Sequence, residues 1–208
     1  MNRFDMVELS DYCLEVHVGA ADDAQIYARA LRALKLFDEV VPGLATVAIL
    51  YHSSAMSSEQ VADIVRKCLE TPYAPALASA KERRVRVRYG GEMGPDFSTV
   101  CSDLGLSAEA FIARHTALTY HVEMIGFTPG FCYLGGLPDT LNVPRLSSPR
   151  QHVPAGSVGI CGTYTGIYAM DGPGGWPIIG YSEDIFFDGS KSPPFLIEPG
   201  MPVRFEAI

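Results

Sequence analysis

YHVEMIGFTPGFCYLGGL, from Tyr120 to Leu137, is the stretch that decides the fold. It combines Pro129 with four glycines and fits neither a helix period nor a simple strand alternation. Glycine permits backbone shapes that other residues avoid, and proline fixes one. The stretch therefore predicts a strand that runs into a shaped loop, where binding and catalytic groups are often displayed.

Beyond this stretch the chain consists of short apolar runs between Gly/Pro turns. The runs are SVGICG (157–162), GIYAM (166–170), WPIIGY (176–181), IFFD (185–188), FLIEPG (195–200) and MPVRFEAI (201–208). Two short helices are predicted before it, from Asp96 to Leu104 and after a Ser107 cap. Many short strands at this spacing predict a closed or sandwich-like β architecture.

Glycine and proline divide the 208 residues into halves of different composition. Only Gly19 and Gly43 of the 20 glycines precede residue 90, and only three of the 15 prolines do. The length suits one mid-sized domain or two small ones. We therefore predict a boundary near Tyr89, with domains 1–88 and 89–208.

The first half alternates strand and helix patterns. In order they are a hairpin of strands at 4–9 and 13–18, a helix at 22–37, a strand at 46–51, a serine-capped helix at 57–69, a break at TPYAP (71–75) and a strand at 83–89. This order predicts a small α/β sandwich of the split βαβ type.

The net charge of −8 is concentrated in the second half. Residues 90–208 contain 5 Lys and Arg against 12 Asp and Glu, which disfavours nucleic acid as a partner. The basic run KERRVRVR at 81–88 alternates with valines, so a half-exposed strand explains it better than a nucleic-acid patch.

The five cysteines are scattered and form no CxxC pair. We expect free thiols in a reducing compartment and no metal site. The start MNRFDMVELSDY has no apolar signal region, and no later run approaches a membrane-spanning length. These features predict a soluble cytoplasmic protein.

Four titratable residues near the glycine-rich blocks are candidate catalytic groups, each with a structural alternative. Glu92 and Asp96 could act as general acid and base, but an Asp that opens a helix is more often an N-cap. His115 closes the second helix, where a histidine often caps carbonyls. His121 lies on the predicted strand, and core filling is the simpler explanation for it.

A second group lies on a Pro/Ser-rich loop in a domain that is otherwise short of bases. Arg145, Arg150 and His152 could bind a carboxylate or phosphate, for which a guanidinium is well suited, or could simply be solvated. Gly156 and Ser157 follow at once. Their backbone N–H groups could approach an anion, or the glycine could serve only a tight barrel corner.

Several long blocks resemble one known family. In order they are YGGEMGPD, HTALTYHVEMIGFTPGFCYLGGL, SPRQHVPAGSVGICGTYTGIYAMDGPGGWPIIG and PPFLIEPGMPVRF. They resemble the family of B-type 5-oxoprolinase subunits, also called KipI or allophanate hydrolase subunit 1. The resemblance implies an α+β protein of two domains, a ferredoxin-like α/β sandwich followed by a cyclophilin-like β-barrel.

The resemblance also implies an activity. Family members are the smaller subunit in ATP-dependent hydrolysis of 5-oxo-L-proline to L-glutamate, together with a larger cyclophilin-like subunit of the C type and a third subunit of the A type. The alternatives it implies are a KipI-like inhibitor of a sensor histidine kinase and a carboxyltransferase module for urea or allophanate. The chain has no GxxxxGK[ST] loop, so ATP is expected to bind with or on a partner subunit. We predict neither a metal nor a biotin attachment site.

The opening stretch then gains a specific role as the apolar wall of a substrate cleft. The residues predicted to form this wall and to contact the substrate are Phe127, Pro129, Phe131 and Tyr133. Gly126 and Gly130 are predicted to set its bend, and Gly130 to contact the substrate as well.

Three positions depart from the family pattern. Tyr164 stands where a glutamine is expected and Tyr181 where an arginine is usual, and His152 replaces a common arginine. If Tyr164 and Tyr181 contact the substrate, the ligand or even the activity is expected to differ from that of the family.

Overall fold

The structure is a computed structural model that describes residues 4–70 and 81–208. The chain divides into two compact units, Met1–Ala78 and Ser79–Ile208, here called the N-terminal unit and the barrel unit. The predicted break TPYAP at 71–75 lies outside the described residues. Within the described ranges, no helix is both long enough and apolar enough to cross a bilayer.

The N-terminal unit contains a four-stranded antiparallel sheet in the order β1-β2-β4-β3. Its strands are β1 (Met6–Ser10), β2 (Cys13–His17), β3 (Glu39–Pro42) and β4 (Thr46–Leu50). The helices α1 (Ala21–Ala33) and α2 (Ser58–Glu70) bury Leu31 and Val65 in one core with Ile49 of the sheet. The predicted hairpin is confirmed as β1 and β2, whereas β3 was not predicted.

The helix ends follow from local chemistry. The Ser57 hydroxyl accepts a hydrogen bond from the Gln60 amide at 3.3 Å, and Gln60 Oε1 accepts one from the Ser57 amide at 2.9 Å. This reciprocal capping box confirms the predicted serine cap of α2. Helix α1 ends before the predicted Phe37 because Lys35 adopts a left-handed backbone conformation, with φ of 55°.

The barrel unit is built on a closed barrel of strands in the order β10-β7-β6-β13-β5-β12-β9. The barrel strands are β5 (Arg83–Tyr89), β6 (Thr119–Ile125), β7 (Cys132–Gly135), β9 (Ser157–Cys161), β10 (Tyr164–Ile167), β12 (Ile178–Tyr181) and β13 (Pro202–Ala207). A separate ribbon pairs β8 (Arg150–Val153) with β11 (Gly172–Gly174). The helices are α3 (Phe97–Asp103), α4 (Ala108–Thr116) and a short 3-10 helix (Asp139–Leu141).

The strand Arg83–Tyr89 corrects the predicted boundary. It was assigned to the first domain, ending at residue 88, but it pairs in parallel with β13 and antiparallel with β12. Val85 and Val87 are fully buried in the barrel core, and Val85 lies opposite Phe205. The predicted alternation is confirmed, since the intervening arginines 84, 86 and 88 are exposed. The rise in glycine and proline near Tyr89 marks the first barrel loop, not the start of the domain.

Candidate functional site

The opening stretch folds as β6, a tight loop and β7. The two strands pair antiparallel with a bulge between Val122 and Met124. In the loop, Phe127 has a φ of 72° and is 62% exposed. A left-handed backbone is uncommon for a bulky residue and marks a conformation that the surrounding structure imposes. The predicted strand and shaped loop are thus present.

Phe131 is the centre of an aromatic cluster beneath this loop. Its ring centroid lies 4.9 Å from that of Tyr133, 4.7 Å from Tyr168 and 5.4 Å from Trp176, all edge-on. Phe131 is 1% exposed, so its role is packing, whereas it was predicted to form the wall of a cleft. Of the predicted wall, only Phe127 and Pro129 are exposed, and Gly130 is buried against Ala169 and Phe195.

A cavity of about 260 Å³ brings together four of the predicted site residues. They are Glu92, Arg150, His152 and Ser157, and the other lining residues are Met93, Pro95, Val153, Pro154 and Ile178. Val153 and Ile178 also belong to the aromatic cluster, so the cluster supports one side of the cavity. Small metabolites bind in concave sites with mostly apolar walls and a few polar groups.

Asp96 pairs with Arg150 behind the cavity lining. Arg150 Nη2 donates to Asp96 Oδ1 at 2.7 Å, and the Ile178 amide donates to Asp96 Oδ2 at 2.6 Å. Asp96 does occupy the N-cap position of α3, but its side chain makes no capping hydrogen bond. The N-cap alternative is therefore right in position but not in the role of the side chain, because both carboxylate oxygens accept hydrogen bonds from Arg150 and from strand β12.

Two polar atoms at the cavity have no hydrogen-bond partner among the described residues. They are Arg150 Nη1 and Ser157 Oγ, and both atoms are buried. The Ser157 side chain belongs to a residue that is only 1% exposed. Buried donors are almost always paired in proteins, so such a pair of atoms is a feature that needs an explanation.

The backbone of Gly156 and Ser157 does not bind an anion as the glycine-rich block suggested. The Gly156 amide donates to the Tyr168 carbonyl at 2.7 Å, and the Ser157 amide donates to that of Pro154 at 3.2 Å. Gly156 has a φ of 90°, and a Cβ there would overlap the Ser182 carbonyl. The tight-corner alternative is therefore the one supported for Gly156. The polar group of Gly156 and Ser157 that has no partner among the described residues is the Ser157 hydroxyl.

His115 is part of the barrel core and not of the cavity. Its Nδ1 lies 2.7 Å from the Tyr89 hydroxyl and its Nε2 lies 3.1 Å from Thr165 Oγ1. The ring stacks on Phe205 at 4.7 Å, and burial lowers the pKa of His115 to about 3. Both the catalytic prediction and the helix-cap alternative are wrong, since the imidazole is a neutral, hydrogen-bonded core group.

His121 is also outside the cavity lining. It is an exposed residue of β6 that pairs with Pro202 of β13. Neither the core-filling explanation nor a catalytic role in this cavity fits that position. The sequence could not decide between inward and outward placement, because the neighbours of His121 are apolar and the bulge after Val122 interrupts the strand alternation.

Arg145 and Tyr164 lie near the aromatic cluster but do not line the cavity. Burial raises the pKa of the Cys161 thiol, and a hydrogen bond from Arg145 acts in the opposite direction. The Tyr164 hydroxyl donates to Glu123 at 2.9 Å, and burial followed by this carboxylate raises the pKa of Tyr164 to about 12. Sequence reasoning missed Glu123, which the bulge of β6 positions.

Tyr181, another departure from the family pattern, packs its ring against Gly156.

The family follows from comparison of the whole chain. The barrel unit combines a closed barrel with a cavity that Arg150 lines. A family model described as carboxyltransferase domain, subdomain C and D, matches residues 6–197. The chain belongs to this family, within the group that contains the B-type subunits of 5-oxoprolinase and allophanate hydrolase subunit 1.

Sequence and structure comparisons identify individual proteins that are similar to this chain. The B-type 5-oxoprolinase subunit of Escherichia coli O157:H7 is 36% identical over 92% of this chain and 88% of its own length. The crystal structure of TTHA0988 in space group P212121 is 33% identical with a TM-score of 0.81, and covers 96% of this chain. This chain spans only 41% of TTHA0988. Urea carboxylase of Kluyveromyces lactis, at 14% identity and a TM-score of 0.80 over 99% of this chain and 22% of its own, shows a shared fold alone.

Proposed function

We propose that this chain is the smaller subunit of an ATP-dependent 5-oxoprolinase, which hydrolyses 5-oxo-L-proline to L-glutamate. One observation carries the proposal: Glu92, Arg150, His152 and Ser157 surround a single cavity in a chain that resembles 5-oxoprolinase subunits over most of its length. We also propose the two-domain architecture that the resemblance implies. The β1-β2-β4-β3 sheet suits a ferredoxin-like unit, and the closed barrel suits a cyclophilin-like unit.

We propose that this chain binds 5-oxo-L-proline and that ATP binds elsewhere, because of the size and polarity of the cavity. A volume of about 260 Å³ suits a ring the size of 5-oxoproline and is too small for a nucleotide. We therefore assign ATP to a site on, or shared with, the larger cyclophilin-like subunit of the C type and the third subunit of the A type. Activation of the lactam oxygen by ATP and attack by water would complete the ring opening.

Glu92 is the candidate proton-transfer group of this chain. It is an exposed residue of the turn before α3 and lines the cavity. A carboxylate in that place could orient the attacking water or transfer its proton. Its place in the cavity lining distinguishes it from Asp96, whose two oxygens both accept hydrogen bonds within the protein.

The test is reconstitution. The chain is purified with C-type and A-type partners, and glutamate and ADP released from 5-oxo-L-proline are measured. We expect release only with all components and ATP, and a loss of about 10²-fold in kcat for Glu92→Gln. Glu183→Gln is the matched control, because Glu183 is an exposed barrel carboxylate that pairs with Arg88. No turnover with this chain, beside an active reference complex, would contradict the proposal.

Carboxyl transfer is the second candidate, because the matching family is described as a carboxyltransferase domain. It predicts biotin-dependent carboxylation of urea by the assembled complex, measured as incorporated bicarbonate. Inhibition of a sensor histidine kinase stays a prediction from sequence resemblance. A cytoplasmic location is likewise proposed, on the basis of five free cysteines.

A further inference from the structure

The Arg150 guanidinium has one nitrogen in an ion pair with Asp96 and one buried nitrogen without a partner among the described residues. Nη2 is bonded to Asp96 Oδ1 at 2.7 Å, while Nη1 is buried without a partner among the described residues. Asp96 is itself fixed through the Ile178 amide. The arginine is therefore held in place before any ligand binds, with one donor directed at no described protein acceptor.

Ser157 supplies the second open group of the same cavity. It is the first residue of β9, and its backbone is fixed by hydrogen bonds at the tight corner after Pro154. The residue is 1% exposed, and its Oγ has no partner within the described part of the chain. A buried hydroxyl without a partner is costly, and such costs persist where a ligand satisfies the group.

We propose that Arg150 Nη1 and Ser157 Oγ form a carboxylate subsite, in which one ligand oxygen accepts from each donor. The inference rests on the proposed function in that it assigns the carboxylate of 5-oxo-L-proline to this pair. The lactam ring then lies against the apolar walls that Val153, Pro154 and Ile178 supply. Asp96 is a positioning residue, since it acts through the arginine.

The charges of the cavity select a carboxylate over a phosphate. Asp96 already compensates the charge of Arg150, and Glu92 adds a further carboxylate to the lining. A monoanion that takes two hydrogen bonds suits this balance, whereas a phosphate dianion would be repelled by the nearby acids. The same balance assigns the phosphates of ATP to another place.

The experiment is a steady-state comparison in the reconstituted complex. Ser157→Ala should raise KM for 5-oxo-L-proline at least about tenfold, because a hydrogen bond to a charged group is lost. KM for ATP should not change. Ser182→Ala is the matched control, since Ser182 is equally buried but its Oγ accepts from the Asp184 amide and lies outside the cavity lining. An active complex in which Ser157→Ala leaves KM unchanged would overturn the subsite and leave the proposed function standing.

A second measurement covers the case in which the complex does not turn over 5-oxo-L-proline. Amide resonances of the full-length chain are recorded with acetate and, separately, with inorganic phosphate. Acetate should shift the Ser157 and Val153 amides in the wild type and not in Ser157→Ala, and phosphate should not shift them. That result supports the subsite although the proposed function has failed, and no acetate shift in the wild type overturns it. The melting temperature of Ser157→Ala should equal or exceed that of the wild type, because a methyl group replaces an unpaired hydroxyl.

Discussion

Replacement of Asp96 by alanine removes two hydrogen bonds at once. The Arg150 guanidinium loses its acceptor at 2.7 Å, and the Ile178 amide loses its acceptor at 2.6 Å. The Asp96 and Arg150 side chains are 15% and 32% exposed. The pair therefore lies between a fully buried ion pair, where removal of one partner costs about 3–5 kcal/mol, and a surface pair, which contributes about 0–1 kcal/mol.

Because the pair is partly buried, we expect Asp96→Ala to lower the free energy of unfolding by about 3 kcal/mol. This value includes the cost of leaving the Ile178 amide without its acceptor. Asp96→Asn should cost less, about 1–2 kcal/mol, because an amide oxygen can still accept from the Ile178 amide. Both variants should also raise KM for 5-oxo-L-proline, since Arg150 is no longer held.

The assay is urea unfolding followed by fluorescence. Trp176 is the sole tryptophan of the chain and is 5% exposed within the aromatic cluster, so its emission reports on the barrel unit. Glu206→Ala is the control, because Glu206 pairs with Arg84 at 2.9 Å on the exposed surface and should cost less than about 1 kcal/mol. If Asp96→Ala costs no more than Glu206→Ala, Asp96 does not hold the cavity together.

Three further variants test the corrected assignments. Burial lowers the pKa of His115 to about 3 from its ordinary 6.5, so its contribution to stability is complete above pH 6.5 and is lost as the pH falls toward 3. His115→Asn should therefore show a weaker decline in urea midpoint between pH 7 and pH 4 than the wild type. Phe131→Ala should lower the free energy of unfolding by about 3–5 kcal/mol, measured by circular dichroism. Gly156→Ala should melt at a much lower temperature or fail to fold, because its Cβ would overlap the Ser182 carbonyl.

Each variant has a matched control. His121→Asn should keep the full pH dependence, because His121 is exposed. Phe127→Ala should cost far less than Phe131→Ala, since Phe127 is 62% exposed. Gly162→Ala should cost only about 1 kcal/mol, because Gly162 is left-handed but a Cβ there has open space. An equal effect in variant and control would show that the corresponding burial or close contact does not determine stability.

Local patterns predicted most of the elements but not their partners. The alternation around Val85 and Val87 correctly identified a strand with one buried face, yet that strand belongs to the barrel because it pairs with β13 near the C-terminus. Period-two alternation reports which face is buried and contains no information on the neighbouring strand. β3 was missed for a different reason, since a four-residue strand that ends in Pro42 offers too short a pattern.

The candidate site was predictable in its residue types and not in its contacts. Glu92, Arg150, His152 and Ser157 were all identified from charge and glycine spacing, and they do share a cavity. Asp96 was a candidate catalytic residue with helix capping as the local alternative, but its side chain instead pairs with Arg150, which lies 54 residues away. His115 illustrates the same limit, because its hydrogen bonds to Tyr89 and Thr165 join strands that only the closed barrel brings together.

The Asp96–Arg150 pair also explains why the cavity alone does not complete the proposed reaction. The Asp96 carboxylate neutralises the charge of Arg150, which leaves the arginine able to bind a carboxylate. The same neutralisation removes the excess positive charge that a transferring phosphoryl group requires. The Glu92 carboxylate in the cavity lining lowers the positive charge of the site further. The proposed ATP-dependent step therefore requires cations from outside this cavity, because Arg150 is the one Lys or Arg among its described lining residues. A partner subunit that contributes basic groups or a metal ion is the physical complement of this site.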